Sequence, residues 1–288
     1  MDLYDEDVIR SLKNKGGTVS KLVTHPRNKL IINTKGAYYY KNAVGKYVLL
    51  TGLLPRLKKT FFADTNFFNL LKKPKDVGGN PKMTKRRQIA FARANKQQPK
   101  VKKPKASKGI HNGKIRGTIV HEEIEDFLFL DGKNFRKKHP SIHIYTHRIL
   151  TFIMDTMKWR LLRSEFNLLD ESLGIGTSVD IIAVTNEGKL VLIEVKCGYA
   201  GTFDSSDGFM HHSLHKLTNS PHHQANLQLI TEALMIIRGH QIPLSEMLLY
   251  VIRVDDDGLY HYKINNDYVE KKGAKIYNDL RLSNAITA

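Results

Sequence analysis

Two carboxylates and a lysine near the middle of the chain are spaced for chemistry. Gly176-Thr177-Ser178-Val179-Asp180-Ile181-Ile182-Ala183-Val184 and Lys189-Leu190-Val191-Leu192-Ile193-Glu194-Val195-Lys196 flank a turn at Thr185-Asn186-Glu187-Gly188. Glu187 stands midway between Asp180 and Glu194. An antiparallel hairpin on that turn sets the two carboxylates opposite each other, at a Cα separation of about 4.5–5.5 Å. Like charges held so close need a cation or a proton between them. The same construction one strand earlier sets Glu165 opposite Asp180 across a turn within residues 170–175. Lys196, two residues after Glu194, shares its strand face. Oxygen ligands converging on one point suit Mg²⁺ or Mn²⁺. Such an ion polarises a phosphodiester and activates water, and a neighbouring lysine orients that water or stabilises developing charge. An exposed hairpin with an ordinary cross-strand ion pair, worth about 0.2–1 kcal/mol, would carry the same residues. The run Leu190–Val195 is apolar apart from Glu194, which fits a buried central strand whose charges need partners.

Elements that could position these residues are legible on both sides. Val120, Ile124, Phe127 and Leu128 line one face of a helix over residues 117–130. A second helix fits residues 141–159 after Pro140, and strands fit 161–169, 177–184 and 189–195. A His-rich loop, 198–219, precedes a helix with Ser220 as N-cap, Pro221 in its first turn, Leu227, Ile230, Leu234 and Ile237 facing the core, and Gly239 as its stop. Strands over 248–254 and 259–264 flank Asp255-Asp256-Asp257-Gly258, and a polar helix fits 266–282. Residues 1–71 read as a small mixed segment with strands at 29–34, 37–40 and 47–50. The fold class expected is α/β, with a central mixed sheet of four to six strands and helices on both sides.

Composition narrows the class of partner. Across 288 residues, 46 Lys+Arg against 28 Asp+Glu give a formal charge of +18, which points to a polyanion. Of this, +15 lies between Lys72 and Arg116, where 16 basic residues accompany the single acid Asp76. That stretch, with four prolines and few large apolar residues, reads as a flexible arm lying on phosphates, with a short helix around 85–96. Lys82, Lys85, Arg86, Arg87, Lys102, Lys103 and Lys105 are its candidate DNA contacts, and the same clusters pass as a nuclear-import signal. One cysteine, Cys197, excludes disulfide frameworks and multi-cysteine metal sites, and reads as a small buried residue. The acidic start lacks the pattern of a signal or transit peptide, and no apolar run is long enough for a membrane helix, so an intracellular soluble protein is expected.

Asp180 followed by Glu194-Val195-Lys196 resembles the D-x(n)-E-x-K signature of the PD-(D/E)XK nuclease superfamily. Four further places resemble its RecB-like exonuclease branch. His121, in Gly117-Thr118-Ile119-Val120-His121-Glu122-Glu123-Ile124, sits where that branch has a metal-ligating helical histidine. Glu165 matches a strand glutamate, Gly176-Thr177-Ser178-Val179-Asp180 matches the turn into the first catalytic strand, and Gln224 resembles the glutamine of a Q-x-x-x-Y helix. Order and spacing from Gly176 to Ile264 look most like the mitochondrial genome maintenance exonuclease family, with Gln228 where that family usually has Tyr. The resemblance covers about residues 117–282. It implies a restriction-endonuclease-like core and a Mg²⁺- or Mn²⁺-dependent exonuclease acting on DNA ends, with a preference for single strands, in replication, recombination or repair. It implies His121, Asp180, Glu194 and the Val195 carbonyl as metal ligands, Lys196 as the residue positioning water, and Glu165 and Gln224 in support.

Each of these residues has a plainer role as well. His121 shares its helical face with Ile124 and Leu128, as a core histidine would. Gln224, Gln228 and Thr231 form a polar stripe of the kind that commonly faces solvent. His211, His212, His215, His222 and His223 read as a substrate-facing loop rather than a zinc site. Two other functions remain open: a structure-selective endonuclease on the same fold, and a non-catalytic DNA-binding or packaging protein on a nuclease scaffold.

Overall fold

The structure, a computed structural model, describes residues 22, 31–34, 37–41, 44–62, 113–206 and 208–285. The arm candidates Lys82, Lys85, Arg86, Arg87, Lys102, Lys103 and Lys105, and the helix read at 85–96, lie outside these residues. In chain order the strands are β1 (Ile31–Thr34), β2 (Ala37–Lys41) and β3 (Tyr47–Gly52), followed by helix α1 (Leu53–Thr60). Helices α2 (Gly113–Phe129), α3 (Gly132–Lys138) and α4 (Ile144–Thr151) come next, the last continuing into a π-helical turn at Phe152–Thr156. Then follow β4 (Arg160–Asp170), β5 (Ile175–Val184), β6 (Leu190–Cys197), α5 (Pro221–His240), β7 (Met247–Val254), β8 (Leu259–Ile264) and α6 (Asn266–Ala285).

The apolar run of β6 becomes the middle of the sheet. Every β6 residue except Lys196 is buried, with β5 antiparallel on one side and β7 parallel on the other. β8 continues the sheet beyond β7, and β4 runs antiparallel along the far edge of β5. Gly176 pairs with Leu169 of β4 and with Gly52 of β3, so these two strands occupy opposite edges of β5. The start of β5 therefore shares with β3 the edge whose far end is taken by β6. Beyond β3, β2 and β1 complete an eight-stranded mixed sheet. That exceeds the four to six strands expected, because the strands of the N-terminal segment add to the same sheet.

Helices cover both faces, so the class is α/β, as expected. On one face Leu53 and Leu57 of α1, Leu229, Ile230 and Ala233 of α5 and Ile276 of α6 join Val179, Ile182 and Leu192. On the other, Val120, Ile124 and Leu128 of α2 and Ile149 of α4 meet Ile181, Ile193 and Ile252. At about 25 cal/mol per Å² of apolar surface removed from water, these two layers are the main force holding the strands in register.

Several boundaries differ from the sequence reading. α2 begins at Gly113, inside the stretch read as an arm, because Arg116 donates to the Tyr145 hydroxyl at 2.6 Å and pairs with Asp256 at 3.2 Å. The helix expected over 141–159 is shorter and starts later. Buried Glu123 accepts from the His143 backbone N–H at 3.0 Å, and the His143 ring accepts from Tyr145 N–H, which fixes His143 as the cap of α4. α3 was unforeseen; Asp131 caps it by accepting from Lys133 and Asn134 N–H groups at 3.0 and 2.9 Å. α5 starts as read, with the Ser220 hydroxyl accepting from His223 N–H, but passes Gly239 and ends on Gln241 at a left-handed φ of 56°.

Candidate metal centre

The β5–β6 ladder stops one pair short of the carboxylates. Ile181 pairs with Ile193, and the same register would set Asp180 against Glu194, as the midpoint argument expects. Across the other edge, Ser164↔Ile181 and Phe166↔Val179 bracket Glu165 and Asp180 in the same way. Asp180 thus lies where β5 parts from β6. There its Oδ2 accepts the Val195 backbone N–H at 2.7 Å, so the carboxylate fastens the two strands where the ladder ends.

His121 reaches this point from α2, one turn before Ile124, whose burial with Val120 and Leu128 docks the helix on the sheet. Its Nδ1 lies 2.7 Å from Glu165 Oε1 and 3.7 Å from Asp180 Oδ1. Glu165 is held in an unusual backbone conformation, φ 47°, in the middle of an extended strand. A left-handed non-glycine residue costs about 1–3 kcal/mol and persists only where its surroundings enforce it. One ligand atom from each of His121, Glu165 and Asp180 lies within 4.8 Å of the others, the one such group of three found among the described residues. The side chains are 29%, 32% and 11% exposed, so the cluster is open to solvent on one side. The Asp180 charge raises the His121 imidazole to about 9, with burial opposing and the Glu165 hydrogen bond reinforcing the rise.

Glu194 sits just behind this cluster, 1% exposed. Burial, followed by the Asp180 charge, pushes its carboxyl up to about 7. Lys196 Nζ donates to Glu194 Oε1, and Gln228 Nε2 donates to Glu194 Oε2 at 2.9 Å. Burial lowers the Lys196 ammonium, but Glu194 and Asp180 more than offset that, leaving it above its ordinary value and charged. Placement on one strand face, expected from the two-residue spacing, is thus realised as a direct ion pair.

The sequence-derived candidates distribute unevenly. His121, Asp180 and Glu165 converge, with Glu165 inside the cluster rather than beside it. Glu194 faces Lys196 and Gln228 and is not among the three converging ligands. Val195 contributes its N–H to Asp180. Gln224 donates instead to Asn219 Oδ1 at 2.9 Å, and Gln228, one turn later, contacts Glu194 and Lys196. The polar stripe therefore does not face solvent: Thr231 is buried, bonded to the Leu227 carbonyl, and Gln228 lies against the site. Two neighbours escaped the sequence reading. Glu232 is fully buried beside Gln228, and the Tyr38 hydroxyl of β2 lies 3.0 Å from Ser178 Oγ, two residues before Asp180. An apolar-rich helix interrupted by a glutamate on the Gln228 face was the available signal for Glu232. For Tyr38 the sequence offered none, because the contact spans 140 residues.

Of the loop histidines, His222 pairs with Asp204 at 2.7 Å and His223 bonds to Thr218 Oγ1 at 2.8 Å, each satisfied without a metal. Cys197 is buried, its thiol raised to about 12 by burial. No described helix is long and apolar enough to cross a membrane. No protein-family model matches this chain, and no curated protein matches it.

Proposed function

We propose that this chain is a divalent-metal-dependent DNA exonuclease built on a restriction-endonuclease-like core. The observation that carries the reading is the convergence of His121, Glu165 and Asp180 where β5 and β6 part, with the Glu194–Lys196 pair immediately behind it. One imidazole and several carboxylate oxygens, with no available thiolate, make a donor set suited to Mg²⁺ or Mn²⁺. His121, Asp180 and Glu165 would hold the ion, with Glu194 and the Val195 carbonyl adjoining. When bound, it supplies Lewis acidity towards a phosphoryl oxygen and an attacking water.

The protein's own groups do the rest. Asp180, clamped by the Val195 N–H, keeps its second oxygen towards His121. Lys196 carries its charge at neutral pH and, 24% exposed, can turn from Glu194 to a phosphate or its attacking water. The basic residues between Lys72 and the start of α2 supply sequence-independent phosphate contacts that release counterions. Preference for ends and for single strands follows from the family resemblance.

The test uses 5′- and 3′-labelled linear single-stranded and duplex DNA beside covalently closed single-stranded circles, each with Mg²⁺ or EDTA. Release of nucleotides from linear single strands only with Mg²⁺, circles remaining intact, supports the reading. Cut circles would make the protein an endonuclease. Retention of DNA in EDTA with no cleavage on adding metal would make it a binder.

A further inference from the structure

Gln224, Gln228 and Glu232 lie one turn apart on α5, yet only Glu232 is completely enclosed, at 0% exposure. Its Oε1 accepts from Thr177 Oγ1 at 3.1 Å and from Gln228 Nε2 at 3.3 Å, while Oε2 is buried without a hydrogen-bond partner. Both donors are neutral. An ionised carboxylate in such a place would be costly, and burial, then the charges of Glu194 and Asp180, hold its pKa well above the ordinary value. The position supplies an acceptor: an apolar residue there would leave the buried Thr177 hydroxyl and one Gln228 amide hydrogen without one, at a desolvation cost for each. Through Gln228 that acceptor also bears on the adjoining site.

Gln228 Nε2 carries two hydrogens. One goes to Glu194 Oε2 at 2.9 Å and the other to Glu232 Oε1 at 3.3 Å, while Gln228 Oε1 faces Lys196 Nζ at 3.4 Å. The amide torsion of a glutamine is broad and nearly two-fold, so its orientation is set by its partners. We propose that Glu232 is a positioning residue: it anchors the Gln228 amide, and that amide fixes the Glu194 carboxylate and its pairing with Lys196. This rests on the reading of the cluster as a metal-dependent nuclease site. Glu232 touches neither metal nor DNA. It acts through Gln228, as the outer partners of metal sites do, whose loss costs about 10- to 100-fold in metal affinity or activity.

The experiment compares full-length wild type, Glu232→Met and Glu232→Gln. It measures Mn²⁺ binding by calorimetry without DNA, the Mg²⁺ concentration for half-maximal cleavage of labelled single-stranded DNA, and thermal melting. Glu232→Met should bind Mn²⁺ about 10- to 100-fold more weakly and need correspondingly more Mg²⁺, while melting somewhat lower than wild type because Thr177 and Gln228 lose an acceptor. Glu232→Gln, which keeps an acceptor oxygen, should restore most of the loss. Should Glu232→Met fail to fold, Gln228→Met removes the amide instead and should show the same weakened Mn²⁺ binding. Wild-type Mn²⁺ affinity and cleavage in either folded methionine variant overturns the proposal and leaves the nuclease reading standing. A wild-type protein that neither binds Mn²⁺ nor cleaves DNA overturns both.

Discussion

His121 Nδ1 and Glu165 Oε1, 44 residues apart in sequence, lie 2.7 Å from each other, and the glutamate stands there on a left-handed backbone at φ 47°. Backbone strain and carboxylate thus meet in one residue. Glu165→Gly removes both at once, since glycine adopts this φ freely. The variant should fold with stability equal to wild type or higher by about 1 kcal/mol, yet lose divalent-ion binding. Chemical denaturation beside Mn²⁺ calorimetry checks this. A variant clearly less stable than wild type would show that Glu165 serves the fold rather than the site.

The charge on His121 gives a pH signature. Its imidazole rises from an ordinary 6.5 to about 9, so the folded state binds this proton more tightly than the unfolded state. The resulting stability is fully present below about pH 6.5 and is lost as pH climbs towards 9. Melting temperature in EDTA should fall across that window. His121→Gln should flatten the slope, whereas an undiminished slope in the variant would assign the proton elsewhere.

Gly176 is tied to β2 by close approach. A Cβ placed there would lie 2.5 Å from the Tyr38 Cβ, a distance that real Cβ atoms essentially never show. Gly176→Ala must push β2 away from β5, which costs about 1–3 kcal/mol by overpacking and breaks the Tyr38–Ser178 hydrogen bond. Adding Tyr38→Gly, which removes the clashing Cβ, should relieve the clash, so the double variant should be more stable than the two single effects summed. Simple additivity in urea denaturation would refute the contact.

Much of this arrangement was legible because period-two patterning and turn chemistry fix strand register locally. The registers that end at Ile181↔Ile193 and that bracket Glu165 and Asp180, and the placing of Lys196 beside Glu194, all follow from counting about two turns. His121 was reachable only through resemblance, since a helix docks on a sheet through contacts that spacing does not encode. The exchange of Gln224 for Gln228 as the residue at the site is one of position along α5: Gln224, in the first turn, bonds to Asn219 just before the helix, and Gln228, one turn on, lies level with Glu194. Tyr38 and the joining of β3 to β5 depend on pairings between distant parts of the chain, and no local pattern announces them. The shortened α4 follows from buried Glu123, a charged residue whose partner lies 20 residues away.

Lys196 tests the central claim most directly, because the nuclease reading gives it chemistry and an incidental ion pair would not. Time courses of nucleotide release from end-labelled linear single-stranded DNA in Mg²⁺ should show Lys196→Ala slower than wild type by about 10²- to 10³-fold. DNA binding in Ca²⁺ and the circular dichroism spectrum should remain close to wild type. Cleavage by Lys196→Ala at the wild-type rate, or release by wild type that proceeds equally in EDTA, would contradict the account.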